Sequence, residues 1–432
     1  MKVDVLLGLQ WGDEGKGKII DVLTPEYDII ARFQGGPNAG HTLEFNKQKQ
    51  ILHTIPSGIF HKEKINLIGN GVIIDPFILN NEFISLYEKN VDPKENLLIS
   101  KKAHIILPSH RLLDAAYEKA KGKSKIGSTL KGIGPAYTDK ISRNGIRVGD
   151  ILENGFLNRY KILKQKHLDI IEFLKFNYSD YLIDELNFDE YEQKWLDGIN
   201  MMKGLKIIDS EYFINESLYN NKKILAEGAQ GTLLDIDFGS YPFVTSSNTV
   251  SSGVCSGLGI APKKINNIFG VFKAYCTRVG SGPFPTELTD KTGEALRVEG
   301  REFGSTTGRP RRCGWLDIPA LKYAIMLNGI DELFMMKADV MSLFAEIKVC
   351  THYEYGDQLS DHVPYEMSPD LIKPHYKSLP GWNKKIDNIK SLENIPADLS
   401  AYINYIENEV KLPINIVSVG PDREQTIKID RL

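Results

Sequence analysis

VDVLLGLQWGDEGKGKIIDVL, residues 3–23, decides the architecture. Val3 to Gly8 is a short apolar run closed by glycine, which reads as a buried strand. Ile19 to Leu23 continues as a helix. Between them, Gly12, Gly15 and Gly17 alternate with Asp13, Glu14, Lys16 and Lys18. A strand, a glycine-rich turn and a helix N-terminus form an anion site, because backbone N–H groups and the helix dipole both face a phosphate. Gly12 to Lys18 has the spacing G-x-x-x-x-G-K, but Ile19 stands where Ser or Thr would hold magnesium. Asp13 offers a carboxylate at the same place, able to ligate a metal or accept a proton. Packing alone does not explain four charged residues directly after a buried strand.

Outward from this segment, further apolar runs read as strands: 27–33, 66–69, 223–227, 267–275, 332–337 and 413–419. Helix-length amphipathic stretches at 75–89, 109–121 and 316–328 lie among them, and the alternation predicts an α/β fold with a large, mostly parallel central sheet flanked by helices. Residues 43–54 read as a hairpin. Residues 156–220 contain only Gly198 and Gly204 as glycines and read as a helical insertion with little chemistry. Residues 355–400, broken by Pro364, Pro369, Pro374, Pro380 and Pro396, read as loop-rich. No linker divides the 432 residues, so one large unit, 1–432, is expected.

A formal charge of −3 excludes a protein devoted to coating nucleic acid or anionic membranes, while leaving room for a local phosphate pocket. Cys255, Cys276, Cys313 and Cys350 are far apart, without CxxC pairs, and read as free thiols of a reducing compartment. With no apolar run near the ~20 residues of a membrane span, a cytoplasmic protein is expected.

Other glycine-rich clusters carry chemistry. ARFQGGPNAGHT, residues 31–42, places His41 on a loop whose glycines let backbone and imidazole approach a ligand. KIGSTLKGIGPAYTDKISRNGIRVGD, 125–150, sets Ser128, Thr129, Lys140, Arg143 and Arg147 in a polar loop suited to phosphate or simply to water. AEGAQGTLLDIDFG, 226–239, carries Gln230, and Thr245 follows in a Ser/Thr-rich stretch. EFGSTTGRPRRCGWLD, 302–317, offers Arg309, Arg311 and Arg312, whose forked guanidiniums suit carboxylate or phosphate. MMKADV, 335–340, resembles the guanine motif N-K-x-D with Met336 in the Asn position, and NIVSVGPDRE, 415–424, ends a strand in Gly420-Pro421.

Taken in order, QWGDEGKGK, RFQGGPNAGHT, GIGPAYTDK, AEGAQGTLLDIDFG, YPFVTSSNT, STTGRPRR and SVGPDR resemble the adenylosuccinate synthetase family across residues 10–423. The resemblance implies a P-loop-NTPase-like fold with insertions. It also implies a C–N ligase that joins IMP and L-aspartate at the expense of GTP through a 6-phosphoryl-IMP intermediate, the first committed step from IMP to AMP. By motif, Asp13 would deprotonate the purine and ligate Mg2+, with the Gly40 carbonyl as a second ligand, and His41 would serve the γ-phosphate. Gln230 joins Asp13 and His41 as the third catalytic candidate. IMP would meet Asp13, Glu14, Gly15, Lys16, Asn38, Ala39, Gly40, His41, Thr129, Gln230, Thr245 and Arg309, with Arg143 reaching in from the other subunit of a homodimer. GTP would lie along Gly12 to Lys18 (Gly12, Asp13, Glu14, Gly15, Lys16, Gly17, Lys18), Gly40, His41, Thr42, Arg311, Lys337, Ala338, Asp339, Ser418, Val419 and Gly420. The loop Ser305, Thr306, Thr307, Gly308, Arg309, Pro310, Arg311 would close over aspartate. Two positions depart from the family's usual pattern: Leu130 replaces a glycine, and Pro310 interrupts the arginine run.

A regulatory GTP switch would use the same phosphate loop and the Lys337/Asp339 pair, but leaves His41, Gln230 and the arginine loop without a role. A dinucleotide oxidoreductase would need G-x-G-x-x-G in the first turn, which is absent.

Overall fold

Strand β1 (Val3–Gly8) lies inside a ten-stranded sheet. In chain order its other members are β2 (Ile29–Arg32), β3 (Ile65–Ile68), β4 (Leu97–Ser100), β5 (Lys206–Ile208), β6 (Ile224–Glu227), β7 (Ile265–Lys273), β8 (Glu332–Met336), β9 (Ile414–Ser418) and β10 (Thr426–Lys428). The spatial order is β10-β9-β8-β7-β1-β6-β2-β3-β4-β5. Every pairing is parallel except that of β9 with β10. The computed structural model describes residues 1–45, 48–304, 308–368 and 370–429.

Period-two geometry explains how the apolar runs fill two layers. Val3, Val5 and Leu7 join a large core with Ala31, Phe33, Ala226 and Phe272. Leu6 turns the other way, to Ile19, Ile20 and Leu23 of helix α1 (Lys16–Leu23) and to Ile30, Leu225 and Val271. Both faces of the strand are therefore dry. That is the condition for a continuous hydrophobic strand in a parallel sheet.

Each strand read from the sequence belongs to this sheet, and the hairpin falls at His41–Phe45 and Gln48–Leu52. Helices Pro76–Tyr87, Pro108–Ala120 and Ile318–Asn328 occupy the amphipathic stretches. Residues 156–220 hold helices Phe156–Phe173, Phe188–Lys203 and Ser210–Tyr219, together with strand β5 at the sheet's far edge. Residues 355–400 are less loop-like than expected. Ile372–Pro380 is a nine-residue strand, antiparallel to Glu346–Tyr355 in a second sheet. Pro374 and Pro380 sit on it because a strand paired on one side can spare an N–H.

Cys276, Cys313 and Cys350 are buried, Cys255 is half-buried, and all are free thiols. Among the described residues, no helix is long and apolar enough to cross a membrane.

Candidate active site

In an open parallel sheet, ligands bind beyond the carboxyl ends of the strands. Here β1 ends at Gly8, β2 at Arg32, β6 at Glu227, β8 at Met336 and β9 at Ser418. Each of the motifs singled out around residues 10, 34, 230, 338 and 420 follows one of these ends.

After β1 the chain turns through Gly12 and Asp13, both with positive φ, to Gly15, whose φ of 94° caps α1. The buried Glu14 carboxylate ties the turn from inside, with Oε1 accepting from the backbone N–H of Gln10 (3.1 Å) and Gly12 (2.9 Å). Its Oε2 takes the Lys16 ammonium at 2.5 Å. Lys18 turns away from the loop: Nζ donates to Ser418 Oγ (2.8 Å), Gly420 O (2.7 Å) and Gln425 O (2.9 Å). Burial draws its pKa down to about 7, against the pull of Asp339 and Asp422. Three acceptors around one nitrogen require all three ammonium protons.

His41 begins the hairpin and is buried against α1. A Cβ on Gly17 would stand 2.8 Å from His41 Cβ, so only glycine lets the two loops touch. His41 Nδ1 lies 2.5 Å from Glu227 Oε1. Ser57 fixes the same carboxylate, its N–H donating to Oε2 (2.8 Å) and its hydroxyl to Oε1 (2.7 Å). Burial lowers the His41 pKa, although Glu227 pulls it upward. Burial works against ionised Glu227, but His41, Arg32 and the Ser57 N–H outweigh it and hold its pKa below the usual range. A neutral imidazole with its proton on Nδ1, beside a carboxylate, follows. Among the described residues, buried His41 Nε2 has no hydrogen-bond partner.

Asp13 is partly exposed, and its Oδ2 accepts from Arg311 Nε at 2.7 Å. Arg311 Nη1 reaches buried Glu302 Oε2, also at 2.7 Å, and Glu302 pairs with buried Lys273 at 3.1 Å. Burial opposes ionised Glu302, yet Lys273, Lys337 and Arg311 hold its pKa at about 2. The arginine segment is thus pinned to the phosphate loop. Arg309 lies beside the 126–132 loop, its Nη1 3.4 Å from where a Cβ on Gly127 would be. Pro310 forms a bridge with Phe303, and Gly308 N–H donates to Gly304 O at 2.8 Å. Ser305, Thr306 and Thr307 lie outside the described residues.

Gln230 Nε2 donates to Asn38 Oδ1 at 3.2 Å. Ala39 is buried, and Gly40 and Thr42 are half-buried around His41. Lys337 donates to Gly300 O at 2.8 Å, Ala338 is buried, and burial raises the Asp339 pKa, against the pull of Lys337. Val419 follows β9, buried. Thr129 is half-buried on the 126–132 loop. Arg143 stands exposed at the end of helix Ile133–Ser142, outside this cluster.

Buried polar atoms normally find partners. Gln230 Oε1, Thr245 Oγ1 and Asp339 Oδ1 share with His41 Nε2 the lack of one among the described residues. Glu227, Ser57, Glu302 and Lys273 complete the arrangement and were not among the residues singled out from the sequence. Only Glu227 carried a signal: a carboxylate ending an apolar strand, just before GAQG.

A phosphate-binding turn after the first strand, a carboxylate-backed histidine against it and a buried carboxylate after a distant strand define a nucleotide-dependent enzyme of the α/β class. The adenylosuccinate synthetase family model matches residues 5–427. The chain is 57% identical over 427 residues to adenylosuccinate synthetase of Bacteroides fragilis, covering 99% of each chain. It is 58% identical to the enzyme of Flavobacterium psychrophilum, over 99% of this chain and 100% of that one. A fully ligated adenylosuccinate synthetase structure from Plasmodium falciparum superposes with a TM-score of 0.89 at 42% identity over 100% of both chains. The chain belongs to the adenylosuccinate synthetase family.

Proposed function

We propose that this chain carries out the family's reaction, the GTP-dependent ligation of IMP and L-aspartate to adenylosuccinate in AMP biosynthesis, through a 6-phosphoryl-IMP intermediate. The observation that carries this reading is His41, oriented by Glu227, whose backbone and Cβ pack on Gly17 of the phosphate loop and whose buried Nε2 has no hydrogen-bond partner among the described residues. The oxygen on carbon 6 of IMP is a poor leaving group. Removing the proton from ring nitrogen 1 makes that oxygen nucleophilic. It attacks the γ-phosphorus, GDP departs, and the amine of aspartate then displaces phosphate from carbon 6.

Asp13 is the candidate base, with Arg311 Nε holding its carboxylate in place through Oδ2. An anionic phosphoryl group arriving at His41 Nε2 favours protonation there. The ring then donates to the transferring group while Glu227 balances its charge. Gln230 and Asn38 face IMP beside His41, with Thr129, Thr245 and Arg309 around them. Asp339 Oδ1, buried and without a hydrogen-bond partner among the described residues, suits the two adjacent N–H donors of guanine. Arg309 and Arg311, on the loop from Ser305, serve the aspartate carboxylates.

The oxygen donors of Asp13 and Gly40 are of the type Mg2+ takes, and the exposed part of the Asp13 carboxylate leaves room for it. When bound, the cation would neutralise charge on the phosphates. Arg143, exposed at a helix end, completes the IMP site of a second copy, making the homodimer the working unit. Residues 156–220 form part of the same catalytic unit, because β5 pairs with β4 of the central sheet.

The test follows adenylosuccinate formation with IMP, aspartate, GTP and Mg2+ omitted one at a time, using IMP labelled with heavy oxygen on carbon 6. The label should be recovered in inorganic phosphate. Label lost to water instead would refute the phosphorylated intermediate.

A further inference from the structure

The loop at residues 126–132 is held from one side by a single face of helix Pro108–Ala120. Arg111, Asp114 and Glu118, spaced three and four apart, share that face and are all buried. Glu118 Oε2 accepts from the backbone N–H of Gly127 (2.8 Å) and Ser128 (3.2 Å). Asp114 takes the Ser128 hydroxyl at 2.7 Å and the Gly132 N–H at 2.9 Å. Arg111 Nε donates to Leu130 O at 2.7 Å.

The other side of the loop is tied to the helical insertion. Leu130 packs against a cluster that includes Ile171, Phe176, Ile183 and Tyr191. Lys131 Nζ donates to both oxygens of Asp184, at 3.0 and 2.9 Å, and Arg111 Nη2 reaches the same carboxylate at 3.0 Å. Leu130 has φ 55°, a left-handed conformation that a Cβ disfavours. Its side chain is nevertheless anchored there. These contacts run through the residues on either side of Thr129, so they fix the loop without using the group expected to face the substrate.

We infer that the insertion belongs to the substrate apparatus. Asp184, acting through Lys131 and Arg111, and Leu130, acting through its apolar seat, are positioning residues that keep loop 126–132 in the form that receives the IMP phosphate. This rests on the reading of that loop as part of the IMP site. The physical gain is population: a loop formed a tenth of the time binds about tenfold more weakly, with the same contacts once bound.

The experiment uses the full-length protein and its Asp184→Asn variant, with amide hydrogen exchange and steady-state kinetics. Without IMP, exchange at 126–132 should be faster in the variant, and saturating IMP should return it to the wild-type rate. KM for IMP should rise about tenfold, with kcat within twofold and KM for GTP unmoved. Equal exchange at 126–132 in both proteins would overturn the inference, as would KM for GTP rising in parallel with that for IMP. Lys131→Met breaks the same pair from the loop side and should show the same changes in exchange and KM if Asp184→Asn folds poorly. A wild-type loop whose exchange IMP leaves unchanged would refute the IMP reading itself, which separates the two failures.

Discussion

Glu227 is the carboxylate that lies against His41 Nδ1 and, in the proposed mechanism, balances its charge. Replacing it with Gln keeps size and packing but removes the charge that balances an imidazolium and fixes the proton on Nδ1. Glu227→Gln should lower kcat by about 10²–10⁴-fold, the range for losing a histidine's carboxylate partner or its acid–base function. KM for GTP and IMP should stay within a few-fold, and rapid-quench measurement of phosphoryl transfer checks it. Asp339 is the residue proposed to read the guanine base. Asp339→Asn turns one acceptor into a donor, which opposes guanine's amine and suits the oxygen of xanthine. Efficiency with GTP should fall about 10- to 150-fold, from roughly 1.5–3 kcal/mol per hydrogen bond to a charged group. Efficiency with xanthosine triphosphate should rise, and an unchanged preference ratio would refute the assignment. Asp13, Lys16 and His41 were legible because charge among glycines after a buried strand has no packing explanation. Glu227 is a carboxylate ending the apolar strand ILAE, a signal that its own composition offered, whereas the Lys18 ammonium faces Ser418 rather than the loop it belongs to, a long-range choice no local pattern encodes.

Elements show where local pattern suffices and where it fails. Strands buried on both faces announced themselves as apolar runs. The strand Ile372–Pro380 did not, because it is mostly exposed and carries two prolines. Helix Ile318–Asn328 was expected from residue 316 but starts after Asp317, which caps it by accepting from the Ala320 N–H at 3.1 Å, while the Tyr353 hydroxyl donates at 2.5 Å. Burial pushes this carboxyl up to about 6, only partly countered by those bonds. The folded state therefore keeps a proton that the unfolded chain releases near its ordinary pKa of 3.8. Stability from this group falls as pH rises through that window and is regained on acidification. Asn caps as well and does not titrate. From pH 7 to pH 4.5, urea unfolding should move the wild-type-minus-Asp317→Asn difference toward wild type, by on the order of 2 kcal/mol. A pH-independent difference would mean that Asp317 is not protonated in the fold.

At the scale of the molecule, alternating strands and helices were enough to expect a parallel sheet, but not its order. β1 is flanked by β6 and β7, more than two hundred residues later, and adjacency of that kind is written in no local period. The proposed sharing of the site between two subunits makes a prediction at this scale. Arg143→Leu and Asp13→Ala proteins should each be nearly inactive, yet subunit exchange between them should restore activity, since each hybrid dimer has one site free of both lesions. Exchange verified by co-purification of two tags, with no recovered activity, would show that Arg143 serves its own subunit.

The bond from Lys18 to the segment at 418–425 joins groups 400 residues apart in sequence. A ribosome adding about 5–20 residues per second takes roughly 20–80 seconds to cover that distance. Throughout that time the amine lacks the three oxygens it donates to in the finished fold, Ser418 Oγ, Gly420 O and Gln425 O.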